Sequence, residues 1–245
     1  MVQARYDRAQ QACDRLAQHG SDLQAQACTA TVDAATGQAG RAAITFERAL
    51  AADPGGPREL HLWVLTRLAE TRERLGDASS AERAYRAALA LGLDDSYLLA
   101  AYADFLLDQQ RPAEVLALLK DRERNDLHLL RLALAGKALK HDRAAAWQAA
   151  LAARFDAARQ RGDTAHQKEE ARFALALLGD AARALPLAQA NYAVQREAAD
   201  ARVLLEAALA ARQKAAAAPV LDWLRRSRFE SAVLQALATR IEALP

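Results

Sequence analysis

The chain has 245 residues, 26% of them charged and 52% hydrophobic, with a formal net charge of +2; this balance belongs to a folded globular protein and excludes a disordered acidic or basic tail. Near-neutral charge with both signs mixed excludes a dedicated nucleic-acid binder, which needs a basic face to displace counterions, and no apolar run reaches the roughly 18 residues of a membrane-spanning helix. Alanine is the commonest residue, aromatics are only 5% and β-branched runs are absent, so closely packed helices are predicted and a sheet is not.

Taken in chain order, residues 1–20 read as the second helix of a pair whose first helix is absent, with Tyr6, Ala9, Cys13 and Leu16 on one face. A stacked repeat leaves an apolar face bare when its neighbour is removed. The expectation is a bare half repeat and a natural chain reaching further toward the N-terminus; the other reading is a short cap over residues 3–18. Residues 23–60 form the first full pair, turning at Gly37 and returning through Ala42, Phe46 and Ala49 to Pro54. Residues 62–95 repeat the pattern with Leu65, Leu68, Gly76, Ala81, Tyr85 and Ala88. Residues 96–125 carry Leu99, Tyr102, Ala103 and Leu106, then turn at Gln110-Arg111-Pro112, with proline at the start of the second helix.

Residues 126–163 turn around Lys140-His141-Asp142 and continue in a long second helix through Trp147, Leu151 and Phe155. Residues 164–198 turn at Gly179-Asp180 and return through Leu185, Leu187 and Tyr192. Pro186 falls where a helix interior is expected, so the helix is predicted either to begin near Leu185 or to kink there. Residues 199–228 give a last pair with Trp223 inward, and residues 229–245 a final capping helix with Phe229, Val233, Leu237, Ile241 and Leu244 on one stripe.

Turn, small residue, aromatic and small residue recur in register: Gly37, Ala42, Phe46, Ala49, then Gly76, Ala81, Tyr85, Ala88. Glycine suits a first helix that ends in a left-handed residue, and the alanines suit close helix axes. Recurrence at this interval means helical hairpins stacked as repeats. The fold class predicted is all-α, a right-handed superhelical α-solenoid of stacked helix-turn-helix units.

Residues 23–54 and 62–93 resemble the tetratricopeptide repeat (TPR), a helical hairpin of about 34 residues; the resemblance extends to Leu119 and then more weakly to Arg226. The stretch from Leu98 to Asp108, with Arg161-Gly162-Asp163 and the residues from Glu169 to Phe173, also is similar to an uncharacterised proteobacterial group of such proteins. Members usually carry an export signal and further repeats upstream. That resemblance implies the bacterial periplasm or cell envelope, with the cytoplasm as the alternative.

The TPR resemblance further implies protein or peptide binding in a concave groove lined by first helices. Its inward positions hold Trp63, Arg67, Glu70 and Arg74, then Tyr97, Asp104 and Asp108, then Arg131 and Lys137, then Lys168 and Arg172. Members that clamp a C-terminal carboxylate use Lys and Asn where this chain has Thr66, Glu70 and Ala101. Glu70 repels a carboxylate, so that mode is rejected.

Other chemistry finds little support. Cys13 and Cys28 fall on adjacent antiparallel helices, where a disulfide and two buried thiols are both open readings; a disulfide implies an oxidising compartment. His166, Glu169 and Glu170 share a helical face, but zinc asks for a further His or Cys and an ion-paired helix start explains the acids better. No metal and no cofactor are therefore expected. Arg161-Gly162-Asp163 spells an adhesion tripeptide, yet Gly-Asp recurs in turns at 76 and 179. Arg225, Arg226 and Arg228 read as a solvated helix end. Trp147 and Trp223 are placed in the core and Trp63 on the groove.

No phosphate loop, nucleophile elbow, His-Glu-x-x-His or Cys-x-x-Cys occurs. The sequence therefore predicts a non-catalytic scaffold for a protein or peptide partner. The alternative is an assembly module that forms homo-oligomers through its open N-terminal end or its C-terminal helix, with a metal-binding or enzymatic protein as a further, weaker reading.

Overall fold

A computed structural model describes all residues, 1–245. It is all-α: α1 (Tyr6–Leu16), α2 (Asp22–Ala35), α3 (Ala39–Ala52), α4 (Arg58–Arg74), α5 (Ala78–Ala90), α6 (Ser96–Asp108), α7 (Pro112–Leu118), α8 (Asp126–Leu139), α9 (Ala144–Gln160), α10 (Gln167–Phe173), α11 (Ala181–Val194), α12 (Ala198–Ala210), α13 (Ala218–Ser227) and α14 (Ala232–Glu242). A π-helical turn, Ala174–Leu178, extends α10, and a 3-10 turn, Lys214–Ala217, precedes α13. No helix is long and apolar enough to cross a membrane.

Local chemistry sets the helix ends. Ser21 and Gln24 form a reciprocal capping box at α2. The side chains of Asp77, Asp95, Asn125 and Ser231 accept backbone N–H bonds at the starts of α5, α6, α8 and α14. Each hairpin then reverses at a left-handed residue: Gly37, Gly76, Gln110, Lys140, Gly179 and Arg212 all have positive φ. In five of these turns the next residue donates its N–H back across the helix end, Gln38 to Asp33, Asp77 to Arg72, Arg111 to Leu106, His141 to Gly136 and Gln213 to Ala208. This is the Schellman closure, which satisfies carbonyls left open by the last turn. In the remaining turn Asp180 reaches one residue further, to Ala174, because the π turn inserts an extra residue there.

The chain divides into two compact units. The first comprises residues 1–94, 195–202 and 214–245. Here α1 packs on α2, α2 on α3, α3 on α4 and α4 on α5. Ala39, Ala42, Ala43 and Ala81 are fully buried where helices approach, and Phe46 and Tyr85 are the buried wedges. The Tyr85 hydroxyl donates to Glu73, 2.9 Å. Cys13 and Cys28 are joined in a disulfide that ties α1 to α2, with a Cα separation of 5.4 Å.

The second unit comprises residues 95–194 and 203–213. In it α7 packs on α8, α8 on α9 and α10 on α11, while α8 also touches α6 and α10. Phe155 meets Phe173 with ring centres 5.3 Å apart, and Trp147 is buried against the stacked ring of His141. Gly136 is required by this packing: a Cβ there would come within 2.8 Å of the Trp147 ring.

Of the face expected on residues 1–20, Cys13 is buried and Tyr6, Ala9 and Leu16 are half-buried, and the Trp223 indole N–H, on α13, donates to the Tyr6 hydroxyl at 2.9 Å. Two expectations for the later helices are corrected. The last apolar stripe is Leu234, Leu237 and Ile241, while Val233 is exposed and Phe229 precedes the helix; Ser231 caps α14 and so sets its phase. α11 begins at Ala181 and runs through Pro186, so the helix does not start near Leu185.

Two stability outcomes follow from this packing. Tyr85→Ala leaves a cavity between repeats and costs about 3–5 kcal/mol, whereas Ala81→Leu overpacks the same contact by about 1–3 kcal/mol. Urea unfolding followed by circular dichroism reads both; a loss under about 1 kcal/mol for Tyr85→Ala contradicts the wedge role. Reducing the Cys13–Cys28 bond, which closes a separation of 15 residues, lowers stability by roughly 3 kcal/mol. The denaturation midpoint measured with and without a dithiol checks it, and an unmoved midpoint refutes it.

Candidate functional site

The predicted contact residues lie on the first helices of each hairpin, α4 in the first unit and α6, α8 and α10 in the second. In α4, Trp63 is exposed. One turn on, Arg67 pairs with Glu70 at 3.0 Å, the i,i+3 spacing of one helix face. Arg74, at the end of α4, is committed elsewhere. Its guanidinium donates to the Ala34 carbonyl at 3.2 Å and lies 4.4 Å from the centre of the Phe229 ring. Burial pulls the Arg74 pKa below its ordinary value, with Glu70 working in the opposite sense. Arg74, predicted as a groove residue, is thus a cation set against the chain's own phenylalanine.

In the second unit, Asp104 on α6 is the centre of a charge cluster spanning three successive first helices. Arg131 on α8 donates to both Asp104 oxygens, at 2.5 and 3.1 Å, and Arg172 on α10 donates at 2.6 Å. Burial by itself would raise the Asp104 pKa; the charges of Arg131 and Arg172 outweigh it and hold the group at about 2. Arg131 is only 7% exposed and also donates to the Leu127 carbonyl. Asp104, Arg131 and Arg172, predicted as partner contacts, thus form a tie between repeats. The sequence places all three on inward faces but does not show that their helices bring opposite charges together.

The other predicted residues are distributed differently. Lys137 is on the surface, and its ammonium donates to the carbonyls of Ala176 and Leu177 at 2.7 and 3.1 Å. These belong to the π turn, so Lys137 serves the helix end opposite it. Lys168 lies 3.5 Å from Glu169. Tyr97 is exposed near the start of α6, and Asp108 closes that helix half-buried. Trp147 and Trp223 are buried.

Of the metal candidates, His166 is exposed while Glu170 is buried, where Arg159 and Arg183 both donate to the same oxygen. Among the described residues no three His, Cys, Asp or Glu side chains are grouped to hold a metal ion. Sequence reasoning missed Phe229 and Glu230, which reach the first unit's hairpins from far along the chain. No local signal marks them, because both contacts depend on where α13 is carried.

Antiparallel helix pairs that reverse at a left-handed residue, bury alanine at the helix contact and wedge an aromatic between repeats define a helical-repeat protein. The fold is similar to the crystal structure of a tetratricopeptide repeat protein from Parabacteroides merdae ATCC 43184, with a TM-score of 0.54 and 15% identity over 97% of this chain and 92% of that one. No protein-family model matches the chain, and no curated protein matches it.

The charge cluster has a pH signature. A carboxyl whose folded pKa is depressed stabilises the fold above its unfolded value and loses that contribution as pH falls toward the folded value. For Asp104 the window runs from its ordinary 3.8 down to about 2, and the contribution is about 2 kcal/mol. Asp104→Asn removes this step and leaves two guanidiniums facing each other. Urea midpoints measured from pH 2 to 6 should show a shallower acid decline in the variant; parallel curves contradict the assignment.

Proposed function

We propose that the protein is a non-catalytic scaffold that holds a protein or peptide segment along the groove of its first helices. The observation that carries this reading is the exposure of two large aromatics on such helices. Trp63 is 36% and Tyr97 45% exposed, while Trp147 and Trp223 are buried. Exposed aromatic anchors supply most of the affinity at protein interfaces. The Arg67–Glu70 pair on the helix of Trp63, and Asp108 on the helix of Tyr97, add polar selectivity, and the TPR-like fold supports a protein rather than a small-molecule partner.

The reading extends to location. Both cysteines are joined in a disulfide, and such bonds persist in oxidising compartments. This supports the bacterial periplasm or envelope and agrees with the resemblance to exported proteobacterial proteins. Assembly of copies through the N-terminal end draws less support, because Tyr6 bonds Trp223 and the Val2 carbonyl accepts from the Arg196 N–H.

Crosslinking in native cells followed by mass spectrometry identifies the partner, and variants then test the surface. Trp63→Ala and Tyr97→Ala should each lower partner recovery about tenfold with helicity unchanged. Arg131→Ala should instead shift the denaturation midpoint. Equal recovery by wild type and both aromatic variants sinks the groove reading.

A further inference from the structure

Two equivalent turns in the first unit differ in one respect. Gly37 and Gly76 both adopt left-handed backbone, at φ 82 and 81. A Cβ added to Gly76 would meet nothing within 4 Å, but one added to Gly37 would lie 2.8 Å from the Arg228 Cβ and 3.1 Å from the Arg228 carbonyl oxygen. Conformation alone does not require glycine, since Gln110, Lys140 and Arg212 occupy the same place in other hairpins. The missing side chain at Gly37 makes room for Arg228.

The next two residues continue the contact. Phe229, 7% exposed, lies against the Arg74 guanidinium at 4.4 Å, a cation–π arrangement. Glu230 accepts the backbone N–H of Ala39 at 2.6 Å. That N–H opens α3, whose preceding residue, Gln38, makes no side-chain cap; a carboxylate there also meets the positive end of the helix dipole. Residues 228–231 lie between α13 and α14, outside either helix. Three consecutive residues thus fit three features of the first hairpins: a turn without a side chain, a cation and an uncapped helix start.

We propose that Arg228-Phe229-Glu230 is an internal peptide ligand. The α2–α3 turn with Arg74 forms a recognition site for an aromatic residue followed by an acidic one, and the chain's own C-terminal segment occupies it. An external segment of the same chemistry competes for that seat. The inference rests on the scaffold reading and names a ligand chemistry for the first unit; it places the seat at the turn end of the hairpins, apart from Trp63.

The test uses the full chain and a fluorescein-labelled peptide spanning residues 227–232, with a scrambled peptide as control, followed by fluorescence anisotropy. Phe229→Ala/Glu230→Ala vacates the seat and should bind the peptide at least tenfold tighter than wild type, without binding the scrambled one. Adding Arg74→Gln should remove the gain. Equal binding by wild type and variant, or by both peptides, overturns the proposal. Should the double variant fail to fold, hydrogen exchange on Gly37→Asn and Gly76→Asn decides, because asparagine tolerates the left-handed turn. Gly37→Asn should speed exchange across residues 218–242 at least tenfold relative to Gly76→Asn; equal exchange overturns it. Failure of the peptide arm while Trp63→Ala still lowers partner recovery removes this seat and leaves the scaffold reading standing. Peptide binding with no effect of Trp63→Ala does the reverse.

Discussion

Each hairpin depends on reversing the chain at one left-handed residue. That residue ends the first helix, lets the following N–H close on a carbonyl five positions back, and releases the chain in the opposite direction. A right-handed residue would continue the helix, and the two apolar faces would never meet. Glycine takes this conformation without steric penalty, whereas Gln110, Lys140 and Arg212 take it at a cost that packing must offset. The π turn before Gly179 shows how firm the constraint is: an extra residue enters the helix, and the closing bond lengthens by one position while the left-handed exit is kept.

With the reversal fixed, two kinds of contact order the helices. Alanines allow close approach within hairpins, and aromatic wedges such as Phe46 and Tyr85 fill the space beyond. Polar ties act between helices. Asp104 joins three first helices through Arg131 and Arg172, and Glu170 gathers Arg159 and Arg183 in the same way. A buried carboxylate with one guanidinium removed is strongly penalised, so these ties favour one arrangement of helices over slipped alternatives.

Several of the predicted contact residues are engaged within the protein. Arg74, Asp104, Arg131 and Arg172 make contacts inside the fold, and Lys137 donates to the π turn. Trp63 and Tyr97 are exposed. A charged side chain is drawn into the fold when a complementary charge lies within reach on the next helix.

The sequence by itself determined the helical hairpins, their turns at Gly37, Gly76 and Gly179, the buried alanines and the wedge tyrosine. These follow from chain conformation and short-range periodicity, which neighbouring residues encode. It gave no sign of Trp223 on Tyr6, Phe229 against Arg74, or Glu230 at the start of α3. It also put Val233 on the last apolar stripe, where Leu234 is buried beside Leu237 and Ile241, since Ser231 sets where α14 begins. Tertiary structure alone decided these because each joins residues far apart along the chain, and their meeting depends on the summed path of every helix between them.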